Sequence, residues 1–499
     1  MAHQYYLGID DGTTGTTTLV LDENFNQISR GYAEHHQYYP QPGWVEHDPL
    51  EIWDKLLETV AGAVSQAKIS MDDIRCLGID NQGETVVLWD NVTGKPVYNA
   101  IVWQDRRTSK YADEIKESMG DMIREKTGLI VDSYFSATKI KWIIDNVEGV
   151  KRDIDRGRIN AGTLDTWLIW KLTHGRVFIT DVSTASRTML FNIHTGDWDD
   201  EILKALDIPR SILPEIRDCA EEYGITDPLD FFGGRIPISG SAVDQQAALF
   251  GQACFLPGMV KTTYGTGAFM LMNTGDKPIY SDNGLLTCVA WGLNGKKLSF
   301  ALDGGIYIAG AAVQWLRDKM RIIEKASDTE AIAAGIPDTG GVYFVPAFAG
   351  LAAPHWDQYA RGTIVGVTGG TTREQIIRAT LESEAYQVRD NLDVMRSDSG
   401  MPIEVMRVDG GAVINDFLMQ FQSDILGIPV DVPVITETSA LGAAYLAAYG
   451  VGEFQSLDDI SGMWHLKKRF EPNMSADRRD DLLYYWHKAV ERSRNWAEE

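Results

Sequence analysis

The chain has 499 residues, 44% of them apolar and 23% charged, which is length for two hydrophobic cores, since single cores stop growing at about 250–300 residues. Its 46 Lys and Arg face 71 Asp and Glu, a formal net charge of −25, so a long polyanion meets a repulsive field and nucleic acid is not expected as a partner. Cys76, Cys219, Cys254 and Cys288 lack metal or redox spacing and read as buried thiols, and no apolar run reaches the ~18 residues of a membrane span, so a cytoplasmic protein without membrane insertion is expected.

The chain opens on an apolar run, Tyr5-Tyr6-Leu7, followed by Gly8-Ile9-Asp10-Asp11-Gly12-Thr13-Thr14-Gly15-Thr16-Thr17-Thr18. Two carboxylates, a glycine and a row of hydroxyls occupy its first tight turn, with no basic side chain among them. Alternation from Thr16 toward Leu21, a break at Asp22-Glu23-Asn24 and resumption near Ile28 predict a hairpin. Asp48-Pro49 supplies an N-cap and a first-turn proline, and Leu50, Trp53, Leu56, Leu57, Val60, Ala61 and Val64 then share one helical face. A short strand over 74–79 leads into Asp80-Asn81-Gln82.

The second half repeats this order. A strand over 259–264, the turn Gly265-Thr266-Gly267 and a strand over 269–272 make a second glycine-threonine hairpin. Asn294-Gly295 is a two-residue hairpin signal, and the apolar spacing from Ile306 through Ile308, Ala312, Trp315 and Leu316 predicts a helix. A third glycine turn, Asp409-Gly410-Gly411-Ala412, separates a strand over 404–408 from a helix running from Val413 through Phe417, Phe421 and Ile425. Bare backbone at three strand ends of an α/β chain suits a flat or anionic ligand, because open sheets bind at the carboxyl ends of their strands. The reading is a duplicated α/β chain with a boundary near Phe250, hence domains 1–250 and 251–499.

Five segments carry a resemblance. They are Tyr39-Pro40-Gln41-Pro42-Gly43-Trp44-Val45-Glu46-His47-Asp48-Pro49, Asn99-Ala100-Ile101-Val102-Trp103-Gln104-Asp105-Arg106-Arg107, Tyr134-Phe135-Ser136-Ala137-Thr138-Lys139-Ile140-Lys141-Trp142, Asp244-Gln245-Gln246-Ala247-Ala248-Leu249-Phe250-Gly251, and the stretch 361–382. In this order, over nearly the whole length, the chain resembles the FGGY carbohydrate kinases, and among them is similar to the glycerol kinases. The resemblance implies an actin-like, ribonuclease-H-like duplicated fold with a central cleft. The first domain would hold polyol and phosphate, the second the nucleotide.

It also implies ATP and Mg2+ as cofactors, a small polyol as substrate and a homo-oligomer. Asp10 corresponds to the metal-organising carboxylate. Thr13, Thr14 and Gly15 would cradle phosphates, with Thr266 and Gly267 facing them, and Gly310, Gln314, Gly411 and Asn415 match the adenosine end. Asp244 resembles the base that takes the hydroxyl proton, although its local sequence also suits a helix cap. Glu84, Tyr134 and Gln245 fit the partners of polyol hydroxyls, and Trp103 and Phe269 the packing on its carbon edge.

Departures from the family pattern set further expectations. Gly83 stands where an arginine touches the polyol, which predicts weaker glycerol binding or an enlarged pocket for another polyol or sugar. Thr17 stands where Arg or Lys lies near the phosphates, which predicts heavier reliance on magnesium. With two cations lost, a non-catalytic nucleotide-binding relative is a remote alternative. Asp11, in place of glutamine, is a candidate for a second metal. Asp230 replaces a phosphorylated histidine, so control by a phosphocarrier is not expected. His35, His36 and His47 lack ligand spacing and read as solvated or capping.

Overall fold

The computed structural model describes residues 4–295 and 297–497. Two mixed sheets organise the chain. In the first, the hydrogen-bonded order is Ala220–Ile225, Pro237–Val243, Ile74–Asn81, Tyr5–Asp11, Gly15–Leu21 and Gln27–Glu34. Its three middle strands, Pro237–Val243, Ile74–Asn81 and Tyr5–Asp11, run parallel, and the hairpin strands are antiparallel. The second has the order Leu286–Leu293, Lys297–Ile306, Ala268–Gly275, Val260–Tyr264, Met406–Gly410, Val430–Pro433 and Leu466–Phe470. There too a parallel trio, Val260–Tyr264, Met406–Gly410 and Val430–Pro433, is flanked by antiparallel neighbours. Six strands of each sheet correspond in order and direction, and the second sheet adds Leu286–Leu293 at its edge.

Local signals explain most element ends. Asp48 caps the helix Pro49–Ala67 by accepting from the Leu50 amide at 2.9 Å. Two helices begin later than their apolar spacing suggests. Ile306 closes a strand, paired with Ala268, and the helix starts at Gly310. Gly411–Ile414 is a 3-10 turn, and Asn415 caps Asp416–Leu426 by accepting from the Leu418 amide. In both places ladder and cap bonds override the side-chain period.

The two halves meet through glycine. Thr438–Gly450, distant in sequence, lies on the first sheet, where a Cβ at Gly8 or Gly78 would fall 1.9 Å from the carbonyl oxygens of Ala440 and Ala443. It also crosses the helix Asp244–Gly251, where a Cβ at Gly442 would fall 1.8 Å from the Ala247 carbonyl oxygen. Beside the first sheet, a small antiparallel sheet joins Glu46–His47, Ala100–Ile101, Val86–Asp90 and Ile159–Thr163. Two of the quoted segments fold together there: Arg107 pairs with Glu46 and Asp105 at 2.7 and 2.8 Å and lies over the Trp44 ring. All four cysteines are free and buried. Among the described residues, no helix is long and apolar enough to cross a membrane.

Candidate active site

The three parallel strands of the first sheet each deliver a carboxylate to their carboxyl ends: Asp10, its register partner Asp80, and Asp244 directly after Val243. Open sheets bind ligands at this edge. Burial, with nearby negative charge, raises the Asp10 pKa to about 6 and that of Asp244 to about 7, and lifts Asp80 well above the carboxylate range. Asp10 and Asp80 come within hydrogen-bonding reach of each other, and the raised Asp80 carboxyl is the one that carries the proton between them. No other group donates to either oxygen of the buried Asp80, so a cation bound there would displace that proton. Paired hard oxygens lacking a counter-charge fit a magnesium ion, which takes one or two protein carboxylates and leaves its other positions to phosphate and water. Asp11 does not join them. Side chains alternate along a strand, so Asp11 points to the opposite face, where Thr16 donates to it at 3.3 Å, which sets it apart from the Asp10–Asp80 pair.

Beside these acids, two turns present bare amides. In the first, the carbonyls of Asp11, Gly12, Thr13 and Thr14 accept from the Gln82 amide, Gln82 Nε2, Gln37 Nε2 and the His35 amide. The amides of Thr13 and Thr14 have no acceptor among the described residues. In the second turn, the Gly265 carbonyl accepts from the Gly310 amide, and the Thr266 carbonyl from the amides of Ala309 and Ala311. The amides of Thr266 and Gly267 are again without an acceptor among the described residues. Carbonyls drawn back and amides left forward make an anion nest. Gly310 and Gly411 both flank this second turn, Gly411 following a strand whose Gly410 pairs with Tyr264. Gln314 is exposed on the helix Gly310–Asp318, and Asn415 stands at the next helix start.

Most of the remaining predicted residues gather near Asp244, whose carboxyl feels the Glu84 charge. Glu84 accepts from Arg187 Nε at 2.7 Å, and Arg187 Nη1 lies 2.9 Å from Asp303. The Trp103 ring meets Tyr134 edge-on at 5.6 Å and Phe269, from the second domain, at 6.3 Å. Tyr134 and Phe269 continue into a cavity of about 30 Å³ shared with Asp303, Tyr307 and Trp356. Gln245 Oε1 accepts from the buried Lys261 at 2.5 Å, which leaves the Gln245 NH2 group as a donor toward the cleft. Asp244 accepts from the Gln245 amide at 2.6 Å as the first residue of its helix, whose capping position is held by Val243. Sequence reasoning missed Asp80, Arg187, Lys261 and Asp303. Asp80 closes a predicted strand and carried a signal; the other three are single charges within apolar or mixed runs.

The model of the FGGY family of carbohydrate kinases, N-terminal domain, matches residues 5–251, and that of the C-terminal domain matches residues 260–451. The chain belongs to the FGGY carbohydrate kinases. Among its relatives are glycerol kinase 2 of Thermotoga maritima, 58% identical over 99% of both chains, and the glycerol kinase of Caldanaerobacter subterraneus, 56% identical over 99% of this chain and 100% of that one. The crystal structure of Plasmodium falciparum glycerol kinase with ADP superimposes with a TM-score of 0.91, at 39% identity over 98% of each chain.

Three departures look different in this FGGY kinase once side chains are placed. The space expected at Gly83 is closed: a Cβ there would lie 2.3 Å from Val243 Cγ2, and Arg187 already brings a guanidinium to Glu84. The cation missing at Thr17 has a neighbour in its stead, since Arg30 Nη2 reaches to 3.5 Å of Thr17 Oγ1 while Arg30 Nε pairs with Glu437 at 2.8 Å. Of the three histidines His35, His36 and His47, only His36 is exposed, paired with Glu51. His35 and His47 are buried with their rings 4.5 Å apart, so the solvated or capping reading fails for both. The one cluster of three metal-type ligands among the described residues, His174, Asp227 and Asp230, is occupied by its own ion pairs, His174–Asp230 and Arg176–Asp227, each at 2.6 Å.

Proposed function

We propose that this kinase transfers the γ-phosphoryl group of ATP to a terminal hydroxyl of glycerol, giving glycerol 3-phosphate and ADP. The position of Asp244 carries the reading. It is near enough to both Asp10 and Glu84 for each charge to raise its pKa, which supports a base that reaches both the phosphate side and the polyol side. A carboxyl at about 7 suits a base working near neutrality.

Phosphoryl transfer asks chiefly for positioning and charge stabilisation. The free amides of Thr13, Thr14, Thr266 and Gly267 would hold the phosphate oxygens from both domains. Asp10 and Asp80 would hold Mg2+, which when bound supplies positive charge against the phosphates. Glu84, steadied by Arg187, would accept from one glycerol hydroxyl, and the Gln245 NH2 would donate to another. Trp103, Tyr134 and Phe269 would cover the carbon edge and exclude water when the cleft closes. Asp244 would accept the proton of the terminal hydroxyl as its oxygen bonds to phosphorus and the bond to the ADP oxygen breaks. Gly310, Gln314, Gly411 and Asn415 would take the adenosine end.

ADP release with ATP and magnesium, measured across glycerol, tetritols and pentitols, tests this. The expected result is the highest kcat/KM on glycerol, with kcat lower by about 10²–10⁴-fold in Asp244→Asn and ATP binding retained. A higher kcat/KM on a longer polyol would overturn the assignment.

A further inference from the structure

The two sides of the site are joined by a run of partly buried hydrogen bonds beside the first turn. The Trp103 amide donates to Thr85 Oγ1 at 3.2 Å, and Thr85 Oγ1 donates to Gln82 Oε1 at 3.0 Å. Gln82 Nε2 donates to the Gly12 carbonyl at 3.3 Å and faces His47 Nδ1 at 3.5 Å. His47 Nε2 lies 2.7 Å from Gln37 Oε1, and Gln37 Nε2 donates to the Thr13 carbonyl at 2.7 Å. A second, direct path closes the circuit: Trp103 Nε1 donates to Thr13 Oγ1 at 2.8 Å.

Only one proton arrangement satisfies every link. An amide NH2 group can only donate, so Gln37, which gives its NH2 to a carbonyl, must accept at Oε1. His47 Nε2 therefore carries hydrogen, and the bare Nδ1 faces the Gln82 amide. His47 is neutral in this arrangement, consistent with burial and the adjoining His35 ring, which hold its pKa down at about 3. Thr13 is thus gripped at its carbonyl and its hydroxyl by bonds that both trace to Trp103, whose ring flanks the polyol wall.

We propose that His47, with Gln37 and Gln82, is a positioning unit that couples polyol at the Trp103 wall to the amides of the Thr13-Thr14 turn, so that the two substrates tighten each other's binding. The proposal rests on the functional reading above and adds the route of coupling. His47 touches neither substrate. It acts by holding Thr13 in register with Trp103, and such coupling is reciprocal between the two ligands.

Calorimetric titration of ADP with and without saturating glycerol measures the coupling in the absence of turnover. The unaltered protein is expected to bind ADP about five- to tenfold more tightly with glycerol present. His47→Leu is expected to lose that gain while its affinity for ADP alone stays within about twofold, because one neutral bond is worth about that range of coupling. His47→Gln, which can still donate to Gln37, is expected to regain part of it. Trp103→Phe, which keeps a ring and loses the indole donor, should be non-additive with His47→Leu in a double-mutant cycle. If His47→Leu does not fold, Gln37→Leu cuts the same link from a half-buried position. Equal weakening of ADP binding with and without glycerol would assign His47 a merely structural role and overturn the proposal, as would an unchanged coupling. Failure of the functional reading looks different: titration of the unaltered protein with glycerol alone would then show no binding, whereas glycerol that binds without changing ADP affinity overturns the proposal.

Discussion

At position 83 the backbone faces the methyl of Val243, and at 187 a guanidinium is enclosed by Glu84, Asp303, Tyr134 and Phe135. These two facts make separate predictions. Gly83→Ala sets a methyl where Val243 Cγ2 already lies, so the β-branched neighbour must move; the expected cost is about 1–3 kcal/mol, with a raised KM for glycerol. Val243→Ala in the same chain should restore both, and thermal melts with glycerol kinetics on the single and double variants decide it. Arg187→Met leaves two buried carboxylates without their cation and should destabilise by about 3–5 kcal/mol. Arg187→Lys, one charge without the fork, should keep most of the stability and still raise KM for glycerol. Asp10 and Thr13 stood out in the sequence because acids and hydroxyls crowd one tight turn there, and Asp244 stood out through the family resemblance of its segment. Arg187 and Lys261 did not, because a buried cation is defined by the carboxylates that surround it, and those come from elsewhere in the chain.

The helices show where local sequence is sufficient and where it is not. Pro49–Ala67 was legible from its cap, its first-turn proline and its apolar stripe, all of which are short-range. Its Gly62 is exposed, and a Cβ there would meet nothing within 4 Å. Gly62→Ala is therefore expected to stabilise by about 0.5–1 kcal/mol through helix propensity and a less flexible unfolded chain, read as a higher midpoint in urea. Arg373–Ser399 contains a feature no pattern displays: Glu384, fully buried, with one carboxylate oxygen lacking any partner and its pKa raised to about 8. Burial is the cause. A folded pKa above the unfolded value near 4.5 means the unfolded chain releases this proton first. Stability from this group is whole below about 4.5 and declines by about 1.4 kcal/mol per pH unit until about 8. Glu384→Gln removes the decline, so its advantage over the parent should widen from pH 5 to pH 8 in denaturant titrations. A gap that stays constant with pH would contradict this account.

At the scale of the whole molecule, the duplicated order of strands could be seen in the sequence because each copy repeats a hairpin, a glycine-threonine tip and a helix. The seating of Thr438–Gly450 on the first sheet could not, since it depends on Gly8 and Gly78 lying bare against the backbone of Ala440 and Ala443, more than 350 residues away. That helix crosses Asp244–Gly251 at Gly442 and Gly251, where added side chains would fall 1.8 and 2.1 Å from opposing carbonyl oxygens. The crossing lies one or two turns from Asp244, so the spacing of the two helices sets where the carboxyl stands between the phosphate turns and Glu84. Gly442→Ala must force the helices apart by on the order of 1 Å, since close-packed interiors transmit strain. Two losses should follow together: about 1–3 kcal/mol of stability from overpacking, and a fall in kcat of roughly a hundredfold from misplacing the base. KM for ATP should change less than kcat, because the second turn and the Gly310 helix start, which hold part of the nucleotide, lie on the far sheet. Melting curves and ADP-release kinetics on the one variant separate the effects. A destabilised protein with full kcat would show that the helix crossing holds the domains together without setting the position of Asp244.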